Sequence, residues 1–205
     1  MRLVGGTSSL VRALARDLPA ERIRLKARMT AMALLPKGVE LTIGDAEPLL
    51  VRHVIAALPP RLLEATTRFS PSVPPETVQR WRGTPTWMAP HAKFFALYDQ
   101  PFWREAGLSG TAQSMVGPMM EIHDATTSSG SAALFGFLGV GAEQRAALGE
   151  AALTRACLDQ LTRIFGSEAR QPTATILKDW AAHPLTATAA DRSAAAISFP
   201  TARHG

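Results

Sequence analysis

Apolar positions along this chain switch between a helical and a two-residue period, and each switch marks an element. Leu10, Val11, Leu14, Ala15 and Leu18 recur at helical spacing behind Gly5-Gly6-Thr7-Ser8-Ser9, where Thr7 or Ser8 can cap the first turn. Pro19 ends that helix. Residues 22–25 then read as a short strand. Residues 29–35 and 39–43 flank Pro36-Lys37-Gly38, a hairpin signal. Residues 49–58 predict a further strand, apolar enough to be buried on both faces. Pro59-Pro60 stops it and opens a short helix over Leu62 and Leu63.

The proline-rich crossing Ser70-Pro71-Ser72-Val73-Pro74-Pro75 marks the boundary between two lobes. Residues 76–82 follow as one or two helical turns. Residues 92–98 predict a strand closed by Asp99-Gln100-Pro101, and residues 113–116, 119–123 and 132–138 predict three more. The short turns between them favour an antiparallel meander. Residues 142–165 are helical with a break near Gly149; Leu153, Cys157, Leu161 and Ile164 form the apolar stripe and Gly166 the stop. A last strand over residues 173–177 leads into Lys178-Asp179-Trp180. Residues 192–205 carry little pattern and are expected to be loosely ordered. The order of elements implies an α+β fold, a mixed and largely antiparallel sheet with helices packed on one face.

Composition narrows the partners more than the fold. The chain's 205 residues suffice for one good core or two small lobes, and 46% hydrophobic with 19% charged is a globular balance. No apolar run approaches bilayer-spanning length, and no apolar stretch marks a signal peptide. Cys157 is the only cysteine, which excludes an internal disulfide and agrees with a cytoplasmic location. The net charge of +5 raises the question of nucleic acid. Its densest run, Arg22, Arg24, Lys26 and Arg28, has period two and reads as one solvated strand face. With one tyrosine there are few stacking platforms for single strands. Neither nucleic acid nor membrane is therefore an expected partner. His53, His91, His123, His183 and His204 lack metal-ligand spacing, so no metal is expected.

Lys93 is the candidate for chemistry. It lies in Ala92-Lys93-Phe94-Phe95-Ala96-Leu97-Tyr98, where Phe94, Ala96 and Tyr98 share one face and Phe95 and Leu97 share the other with the lysine. Its ammonium either reaches the rim along its flexible stem or sits in a polar pocket, where it could hold a water or take part in proton transfer. Gly5-Gly6-Thr7-Ser8-Ser9 matches neither GxGxxG nor a P-loop and reads as a helix cap. His123-Asp124 lacks a nucleophile elbow elsewhere and reads as structural. Trp81, Trp87, Trp103 and Trp180 are either core or walls of a pocket for a flat ligand.

Several segments in order resemble the flavin-containing amine oxidases, the superfamily of monoamine oxidase and L-amino-acid oxidase. They are Leu3-Val4-Gly5-Gly6-Thr7-Ser8-Ser9-Leu10 with Arg22-Ile23-Arg24-Leu25, and Val54-Ile55-Ala56-Ala57-Leu58-Pro59-Pro60. Phe69-Ser70-Pro71, residues 92–98 with Pro101-Phe102-Trp103-Arg104, Gly136-Phe137, and Lys178-Asp179-Trp180 continue the series. The resemblance covers residues 3–191. It implies FAD as cofactor and the oxidation of an amine or amino acid to an imine, with peroxide released. It also implies roles: Lys93 holds a water near the flavin, Trp180 packs beside the ring, and the Met29 backbone contacts the adenine end. Residues 1–66 then correspond to a remnant of the flavin-binding lobe and residues 67–191 to the substrate lobe. The family's strand–GxGxxG–helix unit, its glycine-rich C-terminal flavin motif and the paired tyrosines of some members have no counterpart. The expected protein is a substrate lobe that needs missing flavin-binding segments, from a second chain or a homo-oligomer. The alternative is a non-catalytic, self-associating module derived from that fold.

Overall fold

The structure, a computed structural model, describes Leu3, residues 5–128 and residues 130–193. The chain divides into two compact units. One runs to Leu58 and takes in Leu63–Arg82; the other holds Pro59–Leu62 and the chain from Gly83.

In the first unit, β1 (Met29–Leu35) and β2 (Gly38–Ile43) form the expected hairpin. β3 (Leu49–Val51) and β4 (Arg68–Ser70) extend it to the order β3-β2-β1-β4. β4 runs parallel to β1, pairing Met32 with Phe69. That pairing carries the proline crossing into the first unit, so the compact units partition the chain differently from lobes split at residue 66. A bulge interrupts the β1–β2 ladder between Met29 and Ala31. α2 (Pro60–Thr66), the short helix expected after the proline pair, leads into β4, and α3 (Pro75–Gly83) brings Trp81 against Phe69, ring centroids 5.7 Å apart.

Two expectations fail here, and a third holds in position only. Residues 22–25 are not a strand: a 3-10 turn over Ala20–Arg22 leads into chain with no ladder partner, and Leu25 is 82% exposed. Alternation along a sequence makes a strand only where another strand can pair with it. Residues 49–58 pair only through Leu49–Val51, opposite residues 39–41 of β2, and Ile55 beyond is 93% exposed. Apolar composition there does not mean burial. Thr7 occupies the N-cap of α1 (Ser8–Arg16), yet its side chain makes no capping bond.

The second unit carries the main core. β5 (Ala92–Tyr98), β6 (Ala112–Gln113), β7 (Met119–Asp124), β8 (Ala132–Leu138) and β9 (Ala174–Asp179) form an antiparallel sheet of order β6-β7-β8-β5-β9. β5 lies between two partners, which is why both its faces are apolar. Its alternate residues Ala92, Phe94, Ala96 and Tyr98 are buried, as are Leu134 and Leu138 of β8. α5 (Ala142–Leu148) and α6 (Glu150–Phe165) meet at Gly149, whose φ of 75° breaks the helix where expected. Leu153, Cys157, Leu161 and Phe165 of α6 complete the core cluster with the sheet's buried face. Burial pushes the Cys157 thiol up to about 12. Gln160, also buried, reaches β7: its Oε1 accepts the Met119 N–H and its Nε2 donates to the Met119 carbonyl, both at 2.8 Å.

Trp103 on α4 (Phe102–Glu105) is fully buried, edge-on to Tyr98 and Phe102. It is core, not a pocket wall. The expectation of a loosely ordered tail falls, from residue 194 on, outside the described residues; Arg192 closes α7 (Ala189–Arg192) and its Nε donates to the Ala181 carbonyl.

Candidate active site

The face of the five-stranded sheet turned away from α6 is half-exposed and aromatic. Residues opposite one another in neighbouring strands share a face. Lys178, Lys93, Phe137 and Glu121 therefore stand in one cross-strand row, and Ile176, Phe95, Phe135 and His123 in the next. Phe95 and Phe135 stack at 5.4 Å, His123 stacks on Phe135 at 5.1 Å, and Phe137 meets Phe135 edge-on at 5.7 Å.

Lys93 and Lys178 oppose each other directly, a pairing that repulsion disfavours. Each ammonium turns to a ring instead. Lys93 Nζ lies 4.7 Å from the Phe137 centroid and Lys178 Nζ lies 4.6 Å from that of Trp180. Lys93 is half-buried, with its ammonium over an aromatic ring rather than in a polar pocket. At the far end of its row, Glu121 is 29% exposed, with its Oε2 3.5 Å from His123 Nε2. This face thus holds two ammoniums at one end, a carboxylate at the other, and phenyl rings between.

Trp180 continues β9 beside the start of β5; its N–H donates to the His91 carbonyl at 3.0 Å. Lys93 and Trp180 therefore lie at the same end of this face. Met29 lies in the other unit, at the bulge of β1. Burial, then the positive charges of Arg145 and Lys93, push the His91 imidazole below its ordinary range.

His123 and Asp124 do not act together. Asp124 accepts from Trp103 Nε1 at 3.0 Å, from Arg104 Nε at 2.8 Å and from the Thr126 N–H at 2.7 Å. Burial alone would raise its carboxyl, but hydrogen bonds from Thr126, Trp103 and Arg104 outweigh it and hold it at about 2. The pair is structural, as expected from sequence. Trp87, by contrast, is 72% exposed.

Sequence reasoning missed Arg145 and Glu121. Arg145 is 2% exposed and bidentate to Asp179, Nε to Oδ2 at 2.7 Å and Nη2 to Oδ1 at 2.8 Å. An arginine on a short amphipathic helix reads as solvated, so no local signal marks it. Glu121 needed the β7–β8 register.

Over residues 1–196 the sequence matches the family described as flavin containing amine oxidoreductase. The chain belongs to this family. It is 26% identical over 181 residues to a probable flavin-containing monoamine oxidase A of Dictyostelium discoideum, covering 87% of this chain and 39% of that protein. It is 32% identical over 181 residues to an L-amino acid dehydrogenase of Synechocystis, covering 87% and 37%. Among solved structures, a putrescine oxidase triple mutant superposes with a TM-score of 0.78 at 24% identity, over 89% of this chain and 40% of that one. A cyclohexylamine oxidase from Brevibacterium oxydans gives 0.76 at 25%, over 88% and 40%. The mixed fold is that of the amine oxidases, and the family's cofactor is FAD. The chain spans about two fifths of the length of the relatives it matches. No helix among its described residues is long and apolar enough to cross a membrane.

Proposed function

We propose that this chain forms the substrate-binding part of an FAD-dependent amine oxidase, converting an amine to an imine with release of peroxide, together with further flavin-binding segments. The observation that carries the reading is Lys93, a half-buried ammonium on the ring of Phe137 within an aromatic sheet face, in a member of this family. The residues present fit the ring end of a flavin: two ammoniums and the indole of Trp180 lie together at one edge of that face. FAD, when bound, supplies the two-electron acceptor for the carbon–nitrogen bond. Lys93 donates a hydrogen bond to a water and holds it at the reacting end. Phe95, Phe135 and Phe137 exclude bulk water and orient the substrate's apolar part. Glu121 accepts hydrogen bonds from the substrate's cationic group.

A second reading, a self-associating module without catalysis, draws support from α1. None of its residues is buried, and Leu10, Val11 and Leu14 are each more than half exposed. The deciding experiment combines a visible absorbance spectrum of the chain, alone and with its flavin-binding complement, with stopped-flow kinetics on Lys93→Met. We expect bound flavin and a fold unchanged by the substitution, with flavin reduction or reoxidation slowed at least about tenfold, roughly 1.4 kcal/mol of barrier. Unchanged rates in both half-reactions would remove Lys93 from the chemistry. A colourless protein in both preparations would favour the second reading.

A further inference from the structure

The lysine end of the aromatic face is built from the ends of three neighbouring strands, and one buried side chain joins all three. Arg145 sits in the middle of α5, on the side of the sheet opposite the aromatic face. Its Nη1 donates to the Val140 carbonyl, just past β8. Its Nη2 donates at 2.8 Å to the Pro90 carbonyl, just before β5. Its Nε and Nη2 grip the two oxygens of Asp179, the last residue of β9. Asp179 Oδ1 in turn accepts the Ala181 N–H at 2.9 Å, fixing the chain on either side of Trp180.

Each of the three attachments lies within three residues of a side chain of the candidate site. Val140 follows Phe137 by three positions, Pro90 precedes Lys93 by three, and Asp179 stands between Lys178 and Trp180. The stretch before β5 needs such an anchor. Met88, at φ 67°, holds a left-handed backbone that a non-glycine residue rarely adopts, and the His91 N–H donates to its carbonyl. The planar fork serves four acceptor atoms at once, two of them on one carboxylate; an ammonium has only three N–H donors.

We propose that Arg145 is a positioning residue for this face. Its guanidinium sets the relative height of β8, β5 and β9, and with it the seating of Lys93 on Phe137 and of Lys178 on Trp180. That this face handles substrate rests on the function proposed above; that Arg145 sets its geometry does not, and the test separates the two because it needs neither flavin nor substrate.

The chain has four lysines, Lys26, Lys37, Lys93 and Lys178, so reductive methylation with a carbon-13 label gives a spectrum simple enough to assign by single Lys→Arg changes. Methylation keeps the charge. Lys26 and Lys37 are exposed and serve as internal references. In the parent protein the Lys93 and Lys178 methyl signals should be displaced upfield of those references by the rings beneath them. In Asp179→Asn, and in the double variant Arg145→Met/Asp179→Leu, which removes the pair without stranding a charge, that displacement should fall by at least half while far-UV circular dichroism is retained. Undisplaced Lys93 and Lys178 signals in the parent would overturn the proposal. So would full displacement in either folded variant. If the displacement behaves as expected yet the reconstituted protein oxidises no amine, the functional reading fails and the positioning role stands.

Discussion

Replacing Gln160 by Leu should open the second unit far more readily than its size suggests. The side chain is 1% exposed, and its amide does for Met119 what a neighbouring strand's peptide would. Leucine has nearly the same volume, so little cavity forms, but the Met119 N–H and carbonyl both lose their partner inside a residue that is fully buried. Each orphaned buried group costs about 1–3 kcal/mol, partly offset by the greater hydrophobicity of leucine, for a net loss of about 2–4 kcal/mol. Cys157 reports the change directly. It lies one helical turn from Gln160, is 0% exposed, and is the only thiol in the chain. Under native conditions with slow labelling, its modification rate follows the open population, so Gln160→Leu should raise that rate roughly 30- to 1,000-fold. A rise below about fivefold, equivalent to less than about 1 kcal/mol, would mean that Met119 does not depend on this amide.

Gly136→Ala should cost about 1–3 kcal/mol, read as a lower urea midpoint, because the new methyl would lie 2.5 Å from Met119 Sδ and 2.9 Å from the Glu121 carbonyl oxygen. Acid should act in two steps. The folded imidazole of His91 titrates below the ordinary 6.5, so its contribution is full above that value and lost as pH falls through 6.5 towards the lower folded value; His91→Gln should flatten this step in thermal melting against pH. Asp124 titrates at about 2 in the fold against an ordinary 3.8, so its contribution is full above 3.8 and lost between 3.8 and 2; Asp124→Asn should flatten that lower step and leave the upper one.

Where burial and period coincide, the sequence was easy to read. β5 and the helix pair meeting at Gly149 appear where alternation and a glycine break predict them. The failures have one cause: a strand needs a partner, and partners are distant in sequence. Nothing local distinguishes the alternating charges near Arg22, which pair with no strand, from those of a true edge strand. Likewise the apolar run after Leu49 looks like a buried strand until β2 proves too short to pair with it. The site divides the same way. Lys93 stands out because a lysine between apolar neighbours on a strand is uncommon. The neighbours that give it a setting, Phe137 and Lys178, are 44 and 85 residues away, and only the register brings them alongside. Arg145 gives no local signal because its partners are two backbone carbonyls, which every residue has, and a carboxylate 34 residues away.

Alternation along β5 and β8 has an evolutionary side. Residues 92, 94, 96 and 98 and residues 132, 134, 136 and 138 face the helices, while 93, 95 and 97 and 133, 135 and 137 face outward. A mutation at Phe95 or Phe135 changes the outer surface without displacing a methylene beneath it, and a mutation at Leu134 does the reverse. Two characters that usually constrain each other, the chemistry of a surface and the firmness of the core beneath it, are thus inherited on interleaved positions of the same two segments. A lineage can vary the outward set while selection holds the inward set still.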